Sequence, residues 1–377
     1  MRHMSTNLKT PAEMIPIYEP LLGEEEKILV CEALDSGWIS SRGTFVERFE
    51  SEFSRRIGLP EAATCTNGTV ALDLALLALG IGPGDEVIMP DFSYVATANA
   101  VVHVGATPVF CDVDADTWQL SPDIVASRIT PKTKAVIAVH TYGGVTPVAE
   151  LRRFTDLASL KIIEDCAEAI GSLDQGAHVG ARGDVATFSF FGNKTITTGE
   201  GGLVASADSE VMRLVRRLKN QGVADGQRYV HDIVAYNYRM TNVACAIGCA
   251  QLGKLDAILI RKKTLWERYI SGLASTSLVP QRFDAGTTHS HWLCAFRMPD
   301  FASSGDLILH MGTRNIDTRP GFGVISDMPM YRHLRGSADS PNSRRLADAV
   351  ICLPSYPGMT TEQQGAVIDG VRSYFGV

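Results

Sequence analysis

The sequence predicts an α/β protein: a large, mostly parallel β-sheet with helices on both faces, followed by a smaller α+β unit. Short apolar runs alternate with helical stretches as far as Gly202, and beyond it the pattern changes to longer helices. Strands that alternate with helices are the signature of a parallel sheet covered on both sides. The chain of 377 residues, 45% apolar and 20% charged, is large enough to bury such a core.

The elements follow in order. Phe45, Phe49 and Phe53 form an i, i+4, i+8 stripe behind Thr44, which predicts an amphipathic helix ending at Gly58. Asn67-Gly68-Thr69 opens an apolar helix that closes in the turn-rich segment 80–85. The run 86–89, stopped by Pro90, reads as a buried strand. Strands at 108–110, 134–139 and 161–164 then alternate with helices at 122–128 and 148–159. Longer helices are expected at 209–220 and 241–268, then a mixed segment from Ser271 and a helix near 361–374. These patterns divide the chain into a large α/β domain, 15–255, and a small α+β domain, 256–377. Residues 1–14 form an N-terminal extension whose second methionine, Met4, reads as a start-site remnant.

Charge and cysteine usage exclude several classes of function. With 35 Lys+Arg against 42 Asp+Glu the net charge is −7, and no basic block neutralises a run of phosphates, so nucleic acid is not an expected partner. Apolar runs such as 70–79, broken by Asp73, fall short of the roughly 20 residues that span a bilayer, so no membrane is expected. The N-terminus lacks an apolar signal core, and the eight cysteines are scattered singly. They read as small buried thiols in a reducing cytoplasm, with no metal site.

Five segments can carry chemistry. The aromatic run 184–191 leads into a single lysine, Lys194, set among small, hydroxyl and glycine residues. A lysine buried there loses preference for its charged form. When neutral it attacks carbonyls, as a Schiff base requires. Alone, it reads more readily as a surface lysine in a turn, and the other segments reverse that reading. Ile162 and Ile163 deliver Glu164 and Asp165 to the carboxyl end of a strand, where open α/β sheets place ligands. Asp165 there suits a protonated pyridine nitrogen, or else a helix cap. Gly68 and Thr69 start a helix whose free N–H groups and dipole suit a phosphate, though Asn-Gly also opens helices for capping alone. Tyr94 sets an aromatic ring at a strand end, over a planar cofactor or in the core. The segment 236–240 is a polar, aromatic loop before a helix. Together these parts fit pyridoxal 5′-phosphate, with Lys194 for its aldehyde, Asp165 for its ring nitrogen, Gly68 and Thr69 for its phosphate and Tyr94 for its face.

At these residues the chain resembles the DegT/DnrJ/EryC1/StrS family of sugar aminotransferases, of the aspartate-aminotransferase-like (type I) fold. The likeness runs from Ile15 to Tyr374 and includes Trp38-Ile-Ser-Ser-Arg-Gly43, Cys65-Thr-Asn-Gly-Thr-Val-Ala-Leu72, Phe188-Ser-Phe-Phe-Gly-Asn-Lys-Thr-Ile-Thr-Thr-Gly-Glu-Gly-Gly202, Tyr236-Asn-Tyr-Arg-Met-Thr-Asn242 and Met328-Pro-Met-Tyr331. The resemblance implies pyridoxal phosphate, with pyridoxamine phosphate as its aminated form, and Lys194 as the covalent anchor and proton carrier. It implies Asp165 at the ring nitrogen, Glu168 near the ring hydroxyl, Ser189 as a further phosphate ligand and Asn237 as a phosphate ligand from the neighbouring subunit, hence a homodimer with shared sites. Relatives that dehydrate rather than aminate carry histidine at the position of Lys194. The implied reaction moves an amino group from L-glutamate to the C4 ketone of a nucleotide-linked 4-keto-6-deoxyhexose, most specifically GDP-4-keto-6-deoxymannose, with dTDP- or UDP-linked sugars as alternatives and a non-catalytic sensor as a further one. Arg319 is the candidate for an anionic substrate group. Two segments depart from the pattern of the members with that sugar: 321–327 lacks a histidine, and Thr141-Tyr142-Gly143-Gly144-Val145 stands where they have Leu-Tyr-Gly-His-Pro. Both are expected to face the sugar.

Overall fold

The computed structural model describes residues 14–227, 229–334 and 340–377; most of the expected N-terminal extension lies outside them. Its centre is a seven-stranded sheet. The strands are β1 (Glu61–Cys65), β2 (Glu86–Pro90), β3 (Thr107–Cys111), β4 (Thr133–Val139), β5 (Lys161–Asp165), β6 (Val185–Ser189) and β7 (Gly202–Ser206). Their spatial order is β1-β7-β6-β5-β4-β2-β3, and every strand is parallel to the others except β7, which pairs antiparallel with both neighbours. The predicted fold class is the observed one. The reversal of β7 arises because the chain leaves β6, turns through the Lys194 segment and comes straight back.

Both faces of the sheet are covered. On one, the Phe45/Phe49/Phe53 stripe of helix Thr44–Ile57 is buried against Phe188 and Phe190 of the β6 segment, with ring centroids 4.9–5.3 Å apart in edge-on contacts. That helix stops at Gly58, whose φ of 75° lies in the left-handed region that glycine enters without steric cost. On the other face the apolar helix Gly68–Ala78 packs with Ala96–His103 and Ser209–Leu218.

The expected helix at 241–268 is instead two helices, Asn242–Gly253 and Leu255–Gly272, meeting at 59°. Gly253 weakens the helix at the break. Lys254 is drawn sideways there, pairing with Glu26 and donating to the Leu21 carbonyl at 3.2 Å. The second helix covers a four-stranded antiparallel sheet made of Val279–Pro280, Cys294–Arg297, Val350–Leu353 and Arg319–Pro320. Trp266, Tyr269, Phe296, Met311 and Val367 form the core between that sheet and its helices. The N-terminal strand of chain bridges back to this region through Ile15 and Ile316.

All eight cysteines are free; Cys31 is exposed and the other seven are buried. The expectation of buried thiols is therefore corrected at Cys31, which sits on the solvent side of helix Glu24–Asp35. Among the described residues no single helix is long and apolar enough to cross a membrane.

Candidate active site

Parallel strands deliver their carboxyl ends to one edge, and the residues singled out above gather there. A cavity of about 900 Å³ is lined by Gly68, Thr69, Tyr94, Asp165, Glu168, Ser189, Lys194 and Arg319. Its size lies within the usual range for a small-molecule site. Asn237 is not among the lining residues, although its neighbours Tyr236 and Tyr238 are. Its side-chain oxygen accepts from Arg239 Nε at 2.9 Å.

Lys194 is the centre of the arrangement. Its side chain is only 12% exposed, and Nζ lies 3.8 Å from Glu168 Oε1 and 4.0 Å from the centroid of the Trp292 ring. Burial lowers its pKa; the charges of Glu168 and Asp165 oppose that fall without cancelling it. Burial also pushes Glu168 up, to about 7, against the pull of Lys194 and of the Tyr142 N–H, which donates to Oε2 at 2.8 Å.

Asp165 ends β5. Its two oxygens accept from the Ala167 N–H and the Thr97 hydroxyl, each at 3.1 Å. Burial raises its pKa and these partners only partly offset the rise. Its neighbour Glu164 points to the opposite face, where His140 Nε2 and the N–H groups of Gly180, Arg182 and Gly183 all reach it. His140 Nδ1 accepts the Thr146 N–H at 3.1 Å, so the proton is on Nε2 and the ring donates to Glu164. The ligand atoms of His140, Glu164 and Cys166 lie within 4.8 Å of one another. They are engaged by these bonds, with the buried Cys166 thiol against the Glu164 carbonyl at 3.8 Å, and they form a brace beneath the strand end.

The helix start after β1 supplies the third component. Asn67 caps the helix by accepting the Val70 N–H on Oδ1 (3.0 Å) and the Ala71 N–H on its carbonyl (3.2 Å), which leaves the N–H groups of Gly68 and Thr69 unclaimed by the cap. A Cβ on Gly68 would stand 2.7 Å from Ser189 Cβ. Only glycine lets the helix terminus come this close to the end of β6.

These residues fit pyridoxal phosphate. The helix start and Ser189 form an anion cradle, a buried carboxylate and an amine face the same space, and Asn193, another lining residue, has its Oδ1 buried without a hydrogen-bond partner among the described residues. Tyr94 lines the cavity but is 58% exposed, at its mouth. Arg319 is also exposed, 3.8 Å from Asp317 Oδ2.

The aromatic wall escaped sequence reasoning. Tyr142 lies between Phe322, stacked at 4.9 Å, and Trp292, stacked at 6.1 Å. Thr97 and Tyr18 were also missed; nothing in their local sequence marks them. The two departing segments each reach the cavity, but not through Gly144 or Ser326. Ser326 is fully buried and donates through Oγ to Asp91 Oδ2 at 2.6 Å. A Cβ on Gly144 would meet Gln119 Nε2 at 2.6 Å. Neither lines the cavity; Tyr142 and Phe322 are what those segments contribute to it.

A model of the DegT/DnrJ/EryC1/StrS aminotransferase family matches residues 20–372. The chain belongs to this family. Among its curated relatives, GDP-perosamine synthase of Vibrio cholerae is 46% identical over 364 residues, 96% of this chain and 99% of that protein. GDP-perosamine synthase of Escherichia coli O157:H7 is 41% identical over 361 residues, 96% of this chain and 98% of that protein. Among solved structures, Spr1654 from Streptococcus pneumoniae in its PLP-form superposes with a TM-score of 0.90 at 28% identity, covering 96% of this chain and 99% of that one. The family, fold class and enzyme class expected from the sequence hold for this aminotransferase.

Proposed function

We propose that this aminotransferase holds pyridoxal 5′-phosphate and moves an amino group from L-glutamate to the C4 ketone of GDP-4-keto-6-deoxymannose, giving GDP-perosamine. The observation that carries the reading is the convergence of the Lys194 amine, the Asp165 carboxylate and the Gly68–Ser189 cradle in one cavity. The near-full-length similarity to two GDP-perosamine synthases supports the sugar. Gly144 and Ser326 do not line the cavity of this protomer, whereas Tyr142 and Phe322 from the same segments do.

The bound cofactor supplies a carbonyl that captures amines and a cationic ring that withdraws electrons from the adjoining carbon. Asp165, buried and short of donors, keeps the ring nitrogen protonated. Gly68, Thr69 and Ser189 would hold the phosphate, Glu168 would serve the ring hydroxyl and Tyr94 would supply an aromatic face to the ring. Lys194 Nζ removes the α-proton of glutamate in the first half-reaction and delivers a proton to the sugar C4 in the second. Its depressed pKa favours the neutral amine that the first step needs. Arg319 takes an anionic group of the substrate.

Asn237 completes the phosphate site from a second protomer in this reading. Its loop exposes Val230, Val234 and Tyr236, with Val234 94% exposed, an apolar surface suited to a symmetric partner. Residues 15–255 hold the cofactor, and 256–377 supply Trp292, Arg319 and Phe322 to the same cavity. The free cysteines match a reducing cytoplasm.

The test incubates the protein with glutamate and, separately, GDP-, dTDP- and UDP-linked 4-keto-6-deoxy sugars, with products read by mass. Amination of the GDP sugar alone is expected. Amination of another nucleotide sugar in preference overturns the substrate assignment, and no amination of any overturns the enzyme reading.

A further inference from the structure

Lys194 has a long, flexible side chain, yet its task requires the amine to return to one place each time it is released. Two side chains from distant parts of the sequence hold the peptide that carries it. The Tyr18 hydroxyl donates to the Lys194 carbonyl at 2.6 Å, and the Trp292 indole N–H donates to the Asn193 carbonyl, also at 2.6 Å. The same indole presents its face to Lys194 Nζ, 4.0 Å from the ring centroid.

Both side chains are themselves fixed. The Trp292 ring stacks on Tyr142, and the Tyr142 N–H holds Glu168, so one stack sets both the ring face and the carboxylate that meet the ammonium. The segment carrying Tyr18 is tied to the C-terminal sheet region: Ile17 N–H donates to Asp317, and Ser355 N–H donates to the Ile17 carbonyl, each at 3.3 Å. The buried ammonium of Lys262 lies 5.2 Å from the Tyr18 ring centroid and donates to the Ser355 carbonyl at 2.7 Å. Burial pushes the Tyr18 phenol up, so it remains a donor throughout the neutral range.

We propose that Tyr18 and Trp292 are positioning residues for Lys194, Tyr18 as a latch on its main chain and Trp292 as the seat over which the released ammonium rests. A cation over an aromatic face is stabilised by the ring quadrupole, most strongly by tryptophan and most when desolvated. Glu168 at 3.8 Å and Asp165 are the charged groups that share this space. The ring therefore parks the amine inside the cavity without forming a bond that must later break. This inference rests on the proposed role of Lys194, and the test of the seat needs neither sugar nor turnover.

The experiment replaces Trp292 by 4,5,6,7-tetrafluorotryptophan, which keeps the size and the N–H but withdraws electron density from the ring face. In full-length protein stripped of cofactor, the pH dependence of Lys194 acylation by acetic anhydride is read by peptide mass. The acylation midpoint is expected to fall by about half a unit to one unit. An unchanged or higher midpoint overturns the seat. Tyr18→Phe is expected to lower kcat about tenfold with the sugar KM within about twofold, the size of one lost hydrogen bond. It is also expected to speed amide exchange in peptides spanning 191–199 of the cofactor-free protein. Unchanged exchange together with unchanged kcat overturns the latch. Failure of the parent protein to form a borohydride-stable cofactor adduct on Lys194 would count against the proposed function itself, whatever the variants do.

Discussion

Glu164 and Asp165 are consecutive, both carboxylates and both buried, yet the two faces of β5 turn them into different chemical objects. Successive strand residues point to opposite sides. Glu164 points to a side where one imidazole and three backbone N–H groups converge. Burial would raise its pKa, but those bonds outweigh it and hold the carboxyl below its ordinary value of 4.5. Asp165 has one hydroxyl and one backbone N–H, so burial prevails and its pKa rises. Desolvation is common to both; the supply of fixed donors decides. A saturated carboxylate braces the fold, and an undersupplied one facing a cavity retains capacity for a cationic ligand.

The largest effect is expected at the amine opposite Asp165. Lys194→Ala should lower transamination by about 10²–10⁴-fold with unchanged circular dichroism, because general acid–base transfer is removed and no brace is touched; retained turnover would contradict the division of roles. Asp165→Asn should lower kcat by about 10- to 100-fold, the range for a lost hydrogen bond to a charged group. Its thermal midpoint should move little, and a large fall would place Asp165 with the braces.

Glu164→Gln should do the reverse, costing about 2–3 kcal/mol of stability in chemical denaturation because an amide cannot accept from every donor there. The pH dependence follows the same direction. A carboxyl held below 4.5 contributes stability that is present above that pH and lost as pH falls through the folded value. The parent should therefore lose stability below about pH 4.5 more steeply than the variant. The smallest change is expected at Glu168, which titrates near 7. Below that pH it is protonated and no longer attracts the Lys194 ammonium, so the parent pH–rate curve should carry a limb near 7. Glu168→Gln should lack that limb while keeping plateau activity within about tenfold of the parent; a limb that persists would assign it to another group.

Much of the cavity was legible because its parts are local in sequence. Lys194 stands in one glycine- and threonine-rich turn, the pair Glu164-Asp165 directly follows two isoleucines and Gly68 opens an apolar helix, so strand-end and helix-start logic reached all three. Trp292, Tyr18 and Thr97 act on these residues from positions 98, 176 and 68 places away, and no periodicity joins such distances. The break at Lys254 was hidden for a related reason: the apolar pattern runs on across it, and the interruption comes from Glu26 near the other end of the chain. The segments around Gly144 and Ser326 do reach the cavity, but through Tyr142 and Phe322 and not through those two residues, a choice that sequence position alone does not make.

The reversed strand β7 has one further consequence. Because the chain returns beside β6, the span bearing Lys194 is a bow strung between two sheet strands, closed at its base by Phe190 N–H on the Gly201 carbonyl at 2.8 Å. A crossover helix in its place would have let that span swing with a mobile element. Strung in this way, the nucleophile's range of travel is set by the length of its own side chain, and motions of the surrounding lobes reach it only as shifts of the whole frame.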